Sequence, residues 1–296
     1  MSQTCANLLM LIASFIWGTA FVSQTTGMGT IGPFTFSFSR FFFATIAVLP
    51  IALYFEANNF LKIFFNSKLL KLSIATGIFL FLGMGLQQYA LQVSQVSNVA
   101  FITTLYVPIV GIISRFIFKS QLHWIIWIAI LLCVYGSYLL SSNQSIEIQK
   151  SDALIFISAF CFALHIILID IFMKQFNSPF TYGAIQYFVV FILSLILALT
   201  FEEPTLKNIS FEWFEILYTG ILSAGLGYTL QIIAQHKASP APAAIILSME
   251  GVFATIAAWL LINQTLDLNK IIGCIAIFLG VIIVQLIPII KKTYDR

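Results

Sequence analysis

Between Thr4 and Ile290 the chain is a succession of ten apolar runs, each about twenty residues long and parted by short polar breaks. Few folds accept such a pattern. A run of this length covers a hydrocarbon core of roughly 30 Å at about 1.5 Å per residue as a helix. Only 8% of the 296 residues are charged, against 60% hydrophobic, so a water-facing surface could not be covered. The expected solvent is lipid, and the expected fold is an all-α membrane protein of ten transmembrane helices. The predicted spans are Thr4–Gln24, Gly32–Tyr54, Leu69–Leu91, Asn98–Phe118, Leu122–Leu140, Ala153–Lys174, Phe180–Phe201, Phe214–Gln235, Ala241–Ile262 and Ile271–Ile290. Connections are short; the longest expected loops are Phe55–Lys68, Ser141–Asp152 and Glu202–Trp213, too small to hide a soluble domain. The first run lacks a basic leader and a small-residue cleavage site, so it reads as a permanent helix.

Lys and Arg set the orientation. With the N-terminus in the cytoplasm, that side receives Lys62, Lys68, Lys71, Arg115, Lys119, Lys174, Lys237, Lys291, Lys292 and Arg296, while the far side receives Lys150, Lys207 and Lys270. Both termini are therefore expected in the cytoplasm, which requires an even number of spans in a multi-pass protein of the cell (inner) membrane. The basic residues do not cluster, so no nucleic-acid partner is expected from the net charge of +3. Cys5, Cys133, Cys161 and Cys274 form no metal spacing and read as small apolar packing residues. No metal or cofactor is called for.

The halves of the chain resemble each other. Thr76-Gly77-Ile78 recurs as Thr219-Gly220-Ile221, and the same offset of 143 residues relates Gln88 to Gln231, Gln92 to Gln235 and Ala100 to Ala243. One residue further, Phe118–Leu122 aligns with Ile262–Leu266. Two five-helix units are implied, at residues 1–142 and 151–291. Five is odd, so the second copy enters the membrane inverted. That architecture recurs in secondary transporters, which place substrate at the repeat interface.

Ile16-Trp17-Gly18-Thr19 resembles the Trp-Gly signature of the EamA branch of the drug/metabolite transporter superfamily. Arg40-Phe41 with Ala44, the Leu105–Pro108 segment, the stretch Leu247–Ala254 running to Leu261, and Gly273 through Val281 are similar to further segments of that family. The resemblance spans nearly the whole chain. It implies ten helices in two inverted repeats, a central cavity, and export or exchange of small metabolites. Ser120 and Gln264 stand where the family has glutamates, and Gly251 where a proline commonly follows Glu250.

Six residues are candidates for substrate binding or coupling. Glu250 lies near the middle of the ninth run, where a charge costs at least ~2.5–3.5 kcal/mol. It is either a contact for a substrate amine or a proton, or a carboxyl that ties neighbouring helices. Arg40 either snorkels to the surface, pairs with a carboxylate or meets an anionic substrate. His165 is a site residue or a satisfied core histidine; Asp170, five residues on, lies off its helix face. Trp17, Tyr106 and Tyr228 could line the cavity or pack the bundle. The pairs Gln88/Gln92 and Gln231/Gln235 are either gate contacts or interhelical bonds. Pro108 should kink the fourth helix, and Gly273, Ala276 and Gly280 suggest close packing within the chain or in a homodimer.

The leading expectation is a secondary transporter of a small molecule, an amino acid or related amine or zwitterion, working by alternating access with a proton or an exchanged counter-substrate. No P-loop is present to bind ATP. The alternatives are an intramembrane enzyme acting on a lipid or isoprenoid, or a lipid scramblase or scaffold. HExxH and GxSxG are absent, and no catalytic residue is assigned.

Overall fold

The computed structural model describes residues 1–94, 96–141 and 150–294. Among them are ten helices long and apolar enough to span a membrane: α1 (Gln3–Thr26), α2 (Pro33–Phe55), α3 (Ser67–Val93), α4 (Val99–Phe116), α5 (Trp124–Ser141), α6 (Ser151–Gln175), α7 (Pro179–Phe201), α8 (Trp213–Gln235), α9 (Pro240–Ile262) and α10 (Leu268–Leu286). Arg296, one of the basic residues expected on the cytoplasmic side, lies outside the described residues, as does most of the expected loop Ser141–Asp152. The other two expected loops each carry a short helix, Ala57–Phe65 and Leu206–Phe211.

Large apolar side chains such as Leu8, Phe15, Ile46, Leu131 and Leu199 face outward, while Arg40, Gln88, His165 and Gln186 are buried. This inverts the soluble pattern, as lipid requires. Helix starts follow local chemistry. Pro33, Pro179 and Pro240 open α2, α7 and α9, where a missing N–H costs nothing.

Packing obeys the inverted repeat. Exchanging α1–α5 for α6–α10 maps the α3–α6 contact onto α8–α1, α3–α7 onto α8–α2, and α4–α6 onto α9–α1. The α2–α7 and α5–α10 contacts map onto themselves. Gly136 and Gly273 let α5 and α10 touch along their backbones; a Cβ on either would lie 2.6 Å from the other's carbonyl oxygen. The small-residue stripe of α10 is thus used inside the chain.

Both fourth helices of the repeats are broken at one register. α4 is interrupted at Leu105 and α9 at Ser248, 143 residues apart, and both residues have φ −61° and ψ −11°. Pro108 explains the first break, since it cannot donate to the Thr104 carbonyl. Its equivalent is Gly251, whose N–H turns tightly onto the Ser248 carbonyl at 3.2 Å. The same helices end alike. Lys119 (φ 51°) and Asn263 (φ 52°) are left-handed, and the next N–H, of Ser120 or Gln264, reaches back to the carbonyl of Ser114 or Ala258.

Candidate functional site

A cavity of about 50 Å³ lies where the broken helices meet. Its walls come from α1, α3, α4, α6, α8 and α9, which are three symmetry pairs. Glu250, Trp17, Tyr106, His165 and Tyr228 all line it. Five of the six candidates, scattered over 234 residues of sequence, are brought together. Among the described residues, Glu250 is the only Asp, Glu, Lys or Arg on the wall.

Glu250 stands in the first turn of the half-helix Met249–Ile262. The positive end of that half-helix therefore sits behind its carboxyl. The Tyr106 side chain interacts with it from the first turn of the opposing half-helix, Tyr106–Phe116. Gly18 brings α1 against the same turn of α9. A Cβ at Gly18 would strike Phe253 and come within 2.8 Å of the Ala254 nitrogen and the Glu250 carbonyl oxygen. The Trp-Gly pair of α1 thus has two tasks: Trp17 walls the cavity, and Gly18 admits the backbone bearing Glu250.

Tyr228 holds the aromatic wall together. Its ring centroid is 4.7 Å from that of Trp17 and 5.7 Å from that of His165, edge-on to the latter. Its hydroxyl donates to the Met84 sulfur at 2.9 Å. Trp17 Nε1 donates to the Ser223 carbonyl at 3.1 Å. That carbonyl lies in a π-helical stretch of α8, Tyr218–Gly227, which hydropathy does not signal. Gly227 leaves room for the indole, since a Cβ there would lie 2.6 Å from Trp17 Nε1.

His165 is fixed from behind by α7. Its Nε2 lies 2.9 Å from Gln186 Oε1, while Gln186 Nε2 donates to the Tyr182 carbonyl at 3.2 Å. The amide nitrogen being committed, His165 Nε2 is the donor to Gln186. Asp170 is not part of this group. It pairs with Lys174 at 2.7 Å beside a separate hollow near Ser114 and Ser239.

Arg40 differs from the other candidates. It neither snorkels nor meets a carboxylate. It is 1% exposed and forms no ion pair with a described residue. The guanidinium lies between Phe36 and Phe41, its carbon 5.5 and 5.2 Å from their ring centroids. Nη1 donates to Gln24 Oε1 at 2.8 Å, and Gln24 lines the cavity. Arg40 thus sits one hydrogen bond behind the wall.

The glutamine pairs resolve unequally. Gln231 Nε2 donates to Gln235 Oε1 at 3.0 Å, and Gln235 donates to the Ile166 carbonyl. Gln231 Oε1 is buried without a partner in the cavity wall. Gln88 donates to the Gln24 carbonyl at 3.2 Å, but Gln92 is exposed, so the first pair does not form a unit. The adjacent Gln87 lines the cavity instead and bonds Thr103. Gln24, Gln87 and Gln186 were not picked out by sequence. Gln186 had one available signal: it lies 146 residues from Arg40, as Pro179 does from Pro33.

The chain matches the EamA-like transporter family twice, over residues 4–142 and 149–286. It is 29% identical over 285 residues to an uncharacterized transporter of Archaeoglobus fulgidus, covering 95% of this chain and 86% of that one. It is 21% identical to the uncharacterized transporter YoaV of Bacillus subtilis, covering 92% and 94% of the two chains. A solved crystal structure superposes with a TM-score of 0.82 over 97% of this chain and 98% of that one, at 15% identity. That likeness concerns the fold. With the family domain present in both halves and the halves packed as inverted equivalents, the chain belongs to the EamA-like transporter family.

Proposed function

We propose that this protein is a secondary transporter that moves a small amine-bearing metabolite, an amino acid or related zwitterion, across the cytoplasmic membrane by alternating access. Export or exchange is the expected mode, with a proton or counter-substrate moving in return. Residues 1–142 and 151–291 are the two units that rock about the cavity, and both termini face the cytoplasm. The observation that carries this reading is Glu250, a carboxylate in a cavity walled by Trp17, Tyr106 and Tyr228. Aromatic faces around a carboxylate suit an ammonium group, which both attract. The apolar remainder, Phe21, Met84, Phe162 and Leu247, accepts a hydrocarbon side chain. Arg40, Trp17, Tyr106, His165 and Tyr228 serve as binding or coupling residues around it.

The transporter names of the family and of the full-length relatives favour this reading over an intramembrane lipid enzyme or a scramblase. The test is flux of labelled amino acids and amines into proteoliposomes, with and without an imposed pH gradient, for wild type and Glu250→Gln. Saturable flux lowered about tenfold or more by Glu250→Gln supports it. A response to the gradient adds proton coupling; saturable flux without one leaves exchange. Absence of saturable flux for amino acids and amines alike overturns it.

A further inference from the structure

The two halves of this protein act as controls for each other at Arg40. Its counterpart is Gln186, 146 residues on, in the helix that packs symmetrically against α2. Both reach from the second helix of their repeat to a cavity-lining residue on the first: Arg40 to Gln24, and Gln186 to His165. In the second repeat a neutral amide is enough for this bridge. The architecture therefore does not require a cation at residue 40, although burying one in a membrane protein is costly.

The unused atoms of Arg40 identify what the charge is for. Only Nη1 is bonded, while Nε and Nη2 are buried and have no hydrogen-bond partner among the described residues. Those two nitrogens share one edge of the guanidinium, and their N–H bonds run parallel. That edge is the fork a carboxylate engages with both oxygens. An isolated inorganic anion would fit the fork but would have to pass the wall of the cavity that holds Glu250. A molecule carrying a carboxylate and an ammonium satisfies both groups.

We infer that Arg40 is the carboxylate-recognising element of the site: release of Nη1 by Gln24 lets the guanidinium turn its unpartnered Nε/Nη2 edge to a zwitterionic substrate, with the substrate ammonium at Glu250. This inference rests on the transport reading above and adds the substrate's second charge and its orientation. Gln24 is the shutter: it holds Nη1 in the substrate-free state and forms the wall between guanidinium and cavity.

The experiment compares matched pairs of amino acid and decarboxylated amine, leucine with isopentylamine and methionine with 3-(methylthio)propylamine, in proteoliposomes. The readout is the flux ratio within each pair. Wild type is expected to favour the amino acid, and Arg40→Gln, which copies the second repeat, should lower that ratio about tenfold or more. Arg40→Lys keeps the charge without the fork and should give an intermediate ratio. A ratio unchanged in Arg40→Gln overturns the inference and leaves amine transport at Glu250 standing. If Arg40→Gln does not fold, the lysine variant decides: a lowered ratio supports the subsite, and a wild-type ratio overturns it. Wild type that carries neither member of any pair overturns the transport reading and this one together.

Discussion

The Glu56 carboxylate ends one helix and starts another: from the end of α2 it accepts the Thr181 N–H at 2.8 Å and the Phe180 N–H at 3.2 Å, capping α7. Ser178 Oγ donates to the same carboxylate. At the opposite end, Glu202 follows α7 and caps α2, accepting from the Phe34 and Thr35 N–H groups at 2.9 and 2.7 Å and from Thr35 Oγ1 at 2.6 Å. Two antiparallel helices are thereby pinned at both ends by residues 146 positions apart. Each carboxylate satisfies donors that a helix start leaves open and faces the positive end of a helix dipole. Replacing either glutamate with Ala should cost about 1–2 kcal/mol. The double variant should lose close to the sum, because the clamps are far apart. Thermal unfolding in detergent checks this; a double variant no less stable than either single one would show that the clamps do not act separately.

The matched left-handed residues at the ends of α4 and α9 carry different side chains. Asn tolerates this conformation, whereas Lys is strained in it. Lys119→Gly should therefore gain up to about 1 kcal/mol, and Asn263→Gly distinctly less. The two melting temperatures, measured side by side, decide the order. A larger gain at Asn263 contradicts the repeat-based account of these caps.

Gly18 lets α1 approach the turn carrying Glu250 closely. Gly18→Ala places a methyl against backbone that cannot rotate away, so α9 must shift at about 1–3 kcal/mol. Flux should fall with the loss of stability. Gly227→Ala should instead push the Trp17 indole, changing substrate affinity more than melting temperature. Half-saturation constants and unfolding curves for both variants separate the two effects.

Gln186 does for His165 what Arg40 does for Gln24. Gln186→Leu leaves a buried imidazole nitrogen without its partner, at about 1–3 kcal/mol. Gln186→Glu retains an acceptor and should recover most of the His165 bond. The imidazole nitrogen shifts in an NMR spectrum should move for the leucine variant and return toward wild type for the glutamate. Unmoved shifts in both would mean that the contact does not govern the imidazole.

Much of this protein was legible before any coordinates. The spans, their number and the inverted duplication follow from hydropathy, charge and a 143-residue offset. Pro108 announced the break in α4, though the chain parts three residues earlier, at Leu105. Its twin in α9 carries a glycine and sent no such signal. Glu202 and Glu212 fall in the expected loop Glu202–Trp213, where nothing in the sequence marks them as caps. Glu202 caps α2, and Glu212 accepts from the Thr30 N–H and hydroxyl at 2.9 and 2.7 Å.

Sequence by itself determined the architecture, because lipid forces each span to be long, apolar and internally hydrogen-bonded, and those demands are visible residue by residue. It also marked Glu250, since a charge inside hydrocarbon is conspicuous against its neighbours. Tertiary structure alone decided which polar groups meet. Lipid-facing and packed faces are both apolar here, so periodicity does not say which way a helix is turned. The bridges from Arg40 to Gln24, from Gln186 to His165 and from Trp17 to Ser223 depend on that rotation. The π-helical stretch of α8 meets the Trp17 indole through the same rotation, offering it the Ser223 carbonyl and the room left by Gly227.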